Sequence, residues 1–238
     1  MEHDQGPLMS DPAKARRQLL IFIKHPTPGK VKTRLAQTIG PETACDVYRA
    51  CVELTLERVR RFCDNTLLYV DPPQALERVR AWVGSSWALH PQQGATLGER
   101  LAEATAHAFA SEPKSRIVVI GTDSPWLFAS ELEAVFAALA KTPICLGPTD
   151  DGGYYLIGLS RPAPSLFEGI AWSTAAVFEQ TLAQARALGE PVHVLPQRYD
   201  LDRLEDVQRF LTEERANGRA PEQLKVIETV LKMSARAS

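Results

Sequence analysis

The chain has 238 residues, 45 % of them hydrophobic and 24 % charged, with a formal net charge of −2. That profile fits one globular α/β domain and argues against a general nucleic-acid binder, a disordered chain or a small disulfide-stapled scaffold. No apolar run approaches the roughly 18 residues of a membrane span, and the first residues lack an apolar signal core, so a cytoplasmic protein without a membrane partner is expected.

The polar stretch at residues 1–17 is expected to be a disordered tail, 18–233 a single domain and 234–238 a second tail. The first predicted strand, 19–24, runs into His25-Pro26-Thr27-Pro28-Gly29-Lys30-Val31-Lys32-Thr33-Arg34. Seven Lys or Arg residues and no acid lie between Asp11 and Glu42. Concentrated like charge repels itself unless an anion relieves it, so this loop is a candidate phosphate cradle. It lacks the G-x-x-x-x-G-K-[ST] spacing of a P-loop, which excludes that chemistry. A solvated basic loop is the alternative.

A helix is predicted at 41–62, with Pro41 in its first turn and Ala44, Tyr48, Cys51, Thr55 and Val59 on one face. A strand at 66–71, a helix at 74–83 and a strand at 87–90 follow. Gly98-Glu99-Arg100 opens a helix at 97–110, where Arg100 is a weak candidate for a phosphate or base contact. The continuous apolar run of the strand at 116–121 fits burial on both faces. It ends in Gly121-Thr122-Asp123-Ser124-Pro125, which reads as an N-cap at Ser124 with Pro125 opening a helix to 140. That reading does not account for Asp123, a carboxylate at a strand end where magnesium is commonly held.

Strands at 143–147 and 154–159 flank Asp150-Asp151-Gly152-Gly153, which is either a plain hairpin turn or a site where a carboxylate faces an acceptor hydroxyl. After a helix at 174–188 and a strand at 191–195 comes Asp200-Leu201-Asp202-Arg203-Leu204-Glu205, a capping-box pattern with Asp202 at N-cap and Glu205 at N3. Helices at 203–216 and 222–233 complete the chain. His90, His107 and His193 show no metal spacing, and neither do Cys45, Cys51, Cys63 and Cys145, which read as free thiols of a reducing compartment. Alternating strands and helices imply a mostly parallel sheet covered on both faces, with ligands beyond the C-terminal strand ends. The cationic loop, Asp123, Asp150-Asp151 and Asp200/Asp202 all follow strands, so they are expected to converge on one cleft.

These motifs resemble a glycosyltransferase-like, phospholactate-guanylyltransferase-like family, some of whose members are named as transferases associated with radical-SAM/selenodomain proteins. The likeness runs from the Pro-Gly-Lys-Val-Lys-Thr-Arg-Leu segment at 28–35 through Leu97-Gly98-Glu99-Arg100-Leu101 and Gly121–Pro125. It continues through the Gly-Pro-Thr-Asp-Asp-Gly-Gly-Tyr-Tyr segment at 147–155 to Asp200-Leu201-Asp202. It implies a GT-A fold of the nucleotide-diphospho-sugar transferase superfamily, Rossmann-like, using Mg²⁺ or Mn²⁺, a nucleoside triphosphate or nucleotide sugar, and a small acceptor.

Under it, Lys30, Lys32, Arg34, Asp150 and Asp151 are the candidate catalytic residues. Pro28, Gly29, Thr33, Gly98, Arg100, Gly121 and Thr122 would bind nucleotide; Asp123, Asp202 and Asp200 would hold metal. Prolines and lysines replace the glycines of the G-x-G-x-R-M-G loop, and a single Asp stands where glycosyltransferases carry D-x-D. Nucleotidyl transfer to a phosphorylated or carboxylated acceptor is therefore the leading expectation. Glycosyl transfer from a nucleotide sugar is the alternative, and a non-catalytic nucleotide-binding module the second. The sequence leaves the oligomeric state open.

Overall fold

A computed structural model describes residues 15–60, 62, 65–219 and 221–237. The expected N-terminal tail falls largely outside them. Among the described residues seven strands, β1 (Arg17–Lys24), β2 (Asn65–Asp71), β3 (Ala88–Pro91), β4 (Arg116–Ile120), β5 (Ile144–Pro148), β6 (Tyr154–Leu159) and β7 (Val192–Val194), form one sheet. Its spatial order is β3-β2-β1-β4-β6-β5-β7. Only β6 is antiparallel to its neighbours; the other pairings are parallel. The expected mostly parallel sheet is present.

Among the described residues eight α-helices cover the sheet: α1 (Thr33–Ile39), α2 (Pro41–Val59), α3 (Leu76–Val83), α4 (Leu97–Ser111), α5 (Ala129–Ala138), α6 (Val177–Ala187), α7 (Leu204–Ala216) and α8 (Glu222–Ala237). Short 3₁₀ turns lie at Pro73–Ala75 and Pro164–Phe167. Strand side chains alternate faces, and so does the core. Leu19, Ile21 and Ile23 of β1 join α2, α5 and α7 residues in one apolar layer, while Leu20 joins α4 residues and Phe167 in the other. Each fully buried Leu or Ile contributes about 1.5–3 kcal/mol, so the two layers hold the sheet from both sides.

Two helix starts differ from the sequence pattern. Ser124-Pro125 does not open α5. Trp126 and Leu127 are buried, and the Trp126 indole donates to the Tyr199 carbonyl at 2.8 Å, drawing the chain inward for one further turn. The helix begins at Ala129, and the Glu131 carboxylate accepts from the Phe128 N–H at 2.7 Å. Asp202 does not cap α7 either. Asp206 takes that role, accepting from the N–H groups of Arg203 at 2.7 Å and Asp202 at 3.2 Å. The shift releases the Asp202 carboxylate from backbone duty. At the C-terminus α8 runs to Ala237, past the expected start of a tail. Cys45, Cys51 and Cys145 are free and buried; Cys63 lies outside the described residues.

Candidate active site

Beyond the C-terminal end of β1 the chain makes a turn closed by the Lys30 N–H on the Thr27 carbonyl at 3.0 Å. Gly29 supplies the positive φ of 73° that this turn requires. Three residues later Lys32 also lies in the left-handed region, at φ 47°, an uncommon and costly conformation for a side chain-bearing residue. It turns the lysine inward, leaving 1 % of its side chain exposed. The Lys32 Nζ makes an ion pair with Asp123 Oδ1 and lies 3.6 Å from Asp202 Oδ1. Burial alone would lower the ammonium's pKa; the two carboxylates outweigh it and hold it above the usual lysine range. Burial would likewise raise the Asp123 carboxyl, and Lys32 instead holds it below the carboxylate range. In the first turn of α1, Arg34 Nη1 lies 2.9 Å from Asp202 Oδ2 and 3.7 Å from Asp151 Oδ2.

The loops carrying these carboxylates are tied together. Leu201 N–H donates to the Asp123 carbonyl at 2.9 Å, and Ser124 Oγ donates to Asp200 Oδ1 at 2.5 Å. Burial and the neighbouring Asp123 push the Asp200 carboxyl up to about 7, against the Ser124 hydrogen bond and Lys32. Three carboxylates from two loops thus share one floor. Among the described residues, no three Asp, Glu, His or Cys groups converge closely enough to enclose a metal by themselves. Asp123 and Asp202 do face one point that already holds a positive charge. Such a donor pair fits a hard divalent cation completed by water and phosphate oxygens, since magnesium is usually held by one or two carboxylates.

The cleft has two lobes, with volumes of about 630 and 440 Å³. Lys30, Lys32, Thr33, Arg34, Asp151 and Asp202 line the larger lobe. Arg100, Gly121 and Thr122 line the smaller one, beside Phe22, Leu101 and Gln92. Asp123 and Asp200 border both. Pro28 and Gly29 stay exposed outside the lining. Asp150 also lies outside it; its N–H donates to the Arg198 carbonyl at 2.9 Å, and its charge acts on Arg209. The turn predicted at 150–153 is present between β5 and β6, and Asp151 Oδ1 caps it from the Thr149 hydroxyl at 2.7 Å and the Gly153 N–H at 3.1 Å.

Gly98 does not line the cleft. A Cβ there would stand 2.5 Å from the indole nitrogen of Trp172 and 2.9 Å from the Phe167 carbonyl, so Gly98 is a notch in α4 that seats Trp172. Gly152 is a second notch, since a Cβ would collide with the Ala175 carbonyl. Its own carbonyl accepts from Phe178 N–H at 2.9 Å. Between the two notches the chain from Trp172 to Ala175 crosses the larger lobe, which all four residues line.

Sequence reasoning did not single out that crossing, or Tyr48. The Tyr48 hydroxyl accepts from the Lys24 N–H at 2.7 Å and from Thr122 Oγ1 at 3.4 Å, linking the ends of β1 and β4. A tyrosine on the apolar face of α2 carries no signal of this in the sequence. Nor do Trp172 and Ser173, which belong to no periodic pattern.

Comparisons with known proteins give the family and the fold. A family model described as an uncharacterized protein conserved in bacteria (DUF2064) matches residues 55–174. A phosphoenolpyruvate guanylyltransferase from Sphaerobacter thermophilus is 28 % identical over 185 residues, covering 75 % of this chain and 86 % of that protein. A crystal structure from Desulfovibrio desulfuricans G20, named for the nucleotide-diphospho-sugar transferases, superposes with a TM-score of 0.85 at 29 % identity. It covers 94 % of this chain and 98 % of that one. Rv0371c from Mycobacterium tuberculosis H37Rv, solved in complex with manganese, shares the fold alone. Its TM-score is 0.51 at 16 % identity, over 83 % of this chain and 98 % of its own. The architecture is the nucleotide-diphospho-sugar transferase fold.

Proposed function

Because the chain belongs to the DUF2064 family of bacterial proteins, we propose that this transferase moves a nucleotidyl group from a nucleoside triphosphate to a small phosphorylated or carboxylated acceptor, with Mg²⁺ or Mn²⁺. One observation carries the reading: Lys32 holds a positive charge between Asp123 and Asp202 at the C-terminal ends of the strands, with Lys30 and Arg34 alongside. A site that stabilises a cation between two carboxylates, beside Lys30 and Arg34, suits a metal-bound polyphosphate. The guanylyltransferase from Sphaerobacter supports nucleotidyl over glycosyl transfer, and the manganese complex of the Mycobacterium protein supports a divalent ion on this fold.

In this reading Lys30 and Arg34 bind the triphosphate and neutralise the charge that grows on departing pyrophosphate. Arg34, already positioned by Asp202 and Asp151, can exchange a carboxylate for phosphate oxygens in the same two-pronged geometry. Asp123 and Asp202 would hold the metal, which when bound screens the phosphates from one another; Asp200 stands behind them as a third carboxylate. Arg100, Gly121 and Thr122, in the smaller lobe, would contact the nucleoside. Asp151, rather than the outlying Asp150, is the turn carboxylate placed to orient an acceptor.

Product identity tests the reading. The full chain, incubated with a nucleoside triphosphate, Mn²⁺ and phosphoenolpyruvate or another small acid, should release pyrophosphate. Release of nucleoside diphosphate from a nucleotide sugar would favour glycosyl transfer. Tight nucleotide binding with no turnover across the acceptor panel would make the chain a binding module.

A further inference from the structure

The two lobes meet at a waist, and two exposed polar residues there have no role in the machinery above. Lys24, the last residue of β1, borders both lobes and makes no ion pair among the described residues. Its exposed side chain is close enough to Asp123 to lower that carboxyl. Ser173 also borders both lobes. It is exposed, has φ 64°, and forms no hydrogen bond through its N–H or its hydroxyl among the described residues. A serine in the left-handed region is strained relative to an ordinary backbone. That conformation is held in place on both sides, by Trp172 in the Gly98 notch and Ala175 against Gly152. The result is two free donors of Ser173 and one unpaired ammonium at the same waist.

The two carboxylates that share the waist do not forbid an anion there, because Lys32 pairs with Asp123 and Asp200 is engaged by the Ser124 hydroxyl. We infer that Lys24 and Ser173 form the subsite for the anionic group of the acceptor. This rests on the transferase reading above and assigns the acceptor a phosphate or carboxylate held at the waist. The lysine supplies charge; the Ser173 N–H and hydroxyl supply directed hydrogen bonds to its oxygens. Strain at Ser173 then has a function, since an unstrained turn would aim those donors elsewhere.

Calorimetric titration of the full chain tests it, with phosphoenolpyruvate, lactate and inorganic phosphate as separate probes. Each is titrated with and without Mn²⁺ and a non-hydrolysable GTP. Binding of phosphoenolpyruvate and phosphate but not lactate assigns a phosphate subsite; binding of lactate as well assigns a carboxylate one. Lys24→Met and Ser173→Gly should each weaken the bound anion about tenfold and change GTP affinity less than twofold. Ser173→Gly should also raise the melting temperature by releasing strain, so its lost affinity is not lost folding. If Ser173→Gly is more stable with unchanged anion affinity, Ser173 is only a turn and the subsite is overturned. It is also overturned if Lys24→Met loses GTP rather than the anion, or if the wild type binds GTP but none of the three anions. Failure to bind nucleotide while the anion arms respond as expected would instead sink the transferase reading and leave the anion subsite standing.

Discussion

At the scale of single residues, the site is a set of charges closed on one another. Lys32 is the centre of it, buried between Asp123 and Asp202. Removing one member of a buried pair costs about 3–5 kcal/mol, but Asp123 is half exposed and water will resolvate it. Lys32→Met is therefore expected to lower stability by about 1–3 kcal/mol in urea denaturation. Added Mn²⁺ should recover part of that loss, since the vacated point still faces two carboxylates. Arg34 makes the opposite case. It is half exposed, and its ion pairs with Asp202 and Asp151 contribute little to folding. Arg34→Ala should leave the melting temperature nearly unchanged yet weaken triphosphate binding by about 1.5–3 kcal/mol, read by titration. Unchanged affinity in a folded mutant would return the loop to a solvated basic stretch. The sequence displayed these cations and carboxylates openly, through their charge and their place after apolar runs. It did not display which would meet. Asp150 and Asp151 are neighbours of identical type, and the geometry of a four-residue turn alone sends one to the cleft and the other towards Arg209.

At the scale of elements, legibility tracked periodicity. The strands and the long helices announce themselves by apolar repeats, and each lies within a few residues of its expected bounds. Helix starts were less legible because local capping patterns compete with burial. Ser124-Pro125 is a sound local start, but burying Trp126 and Leu127 is worth more than one cap. The cap that α5 does use can be tested: Glu131→Ala should cost about 0.5–2 kcal/mol, while Ser124→Ala should cost α5 nothing and act instead through Asp200. Gly98 offers a sharper contrast between local and tertiary preference. Inside a helix, Gly→Ala normally gains up to about 1 kcal/mol. Here the added methyl meets the Trp172 ring, so Gly98→Ala should lose about 1–3 kcal/mol in thermal denaturation. Combining it with Trp172→Ala should restore the helical gain. A stabilised Gly98→Ala single mutant would show that Trp172 does not sit in the notch.

At the scale of the whole molecule, two helices from opposite ends of the chain brace the floor of the cleft. Arg58 of α2 pairs with Glu214 of α7 and donates to the Pro125 carbonyl, and both side chains are almost fully buried. Burial lowers the Arg58 pKa and Glu214 works against it, the signature of a charge that depends on its partner. Glu214→Gln should therefore destabilise the fold by about 3–5 kcal/mol and, through Pro125, also weaken Mn²⁺ binding near Asp123. Intact metal affinity in that mutant would separate the brace from the site. The reversed strand β6 has a consequence of its own. The other six strands finish at the cleft edge, while β6 begins there and finishes at the far edge. The chain that leaves it must climb back across the α4 face before Trp172 can reach Gly98, so the crossing has no anchor until the pairing of β4 with β6 exists. Refolding should consequently proceed in a fixed order, with sheet formation first and seating of Trp172 last. Its indole fluorescence, isolated by replacing the other three tryptophans, should lag the backbone circular dichroism signal. The binding mouth would then be the youngest part of the folded protein, and the first to open when it loosens.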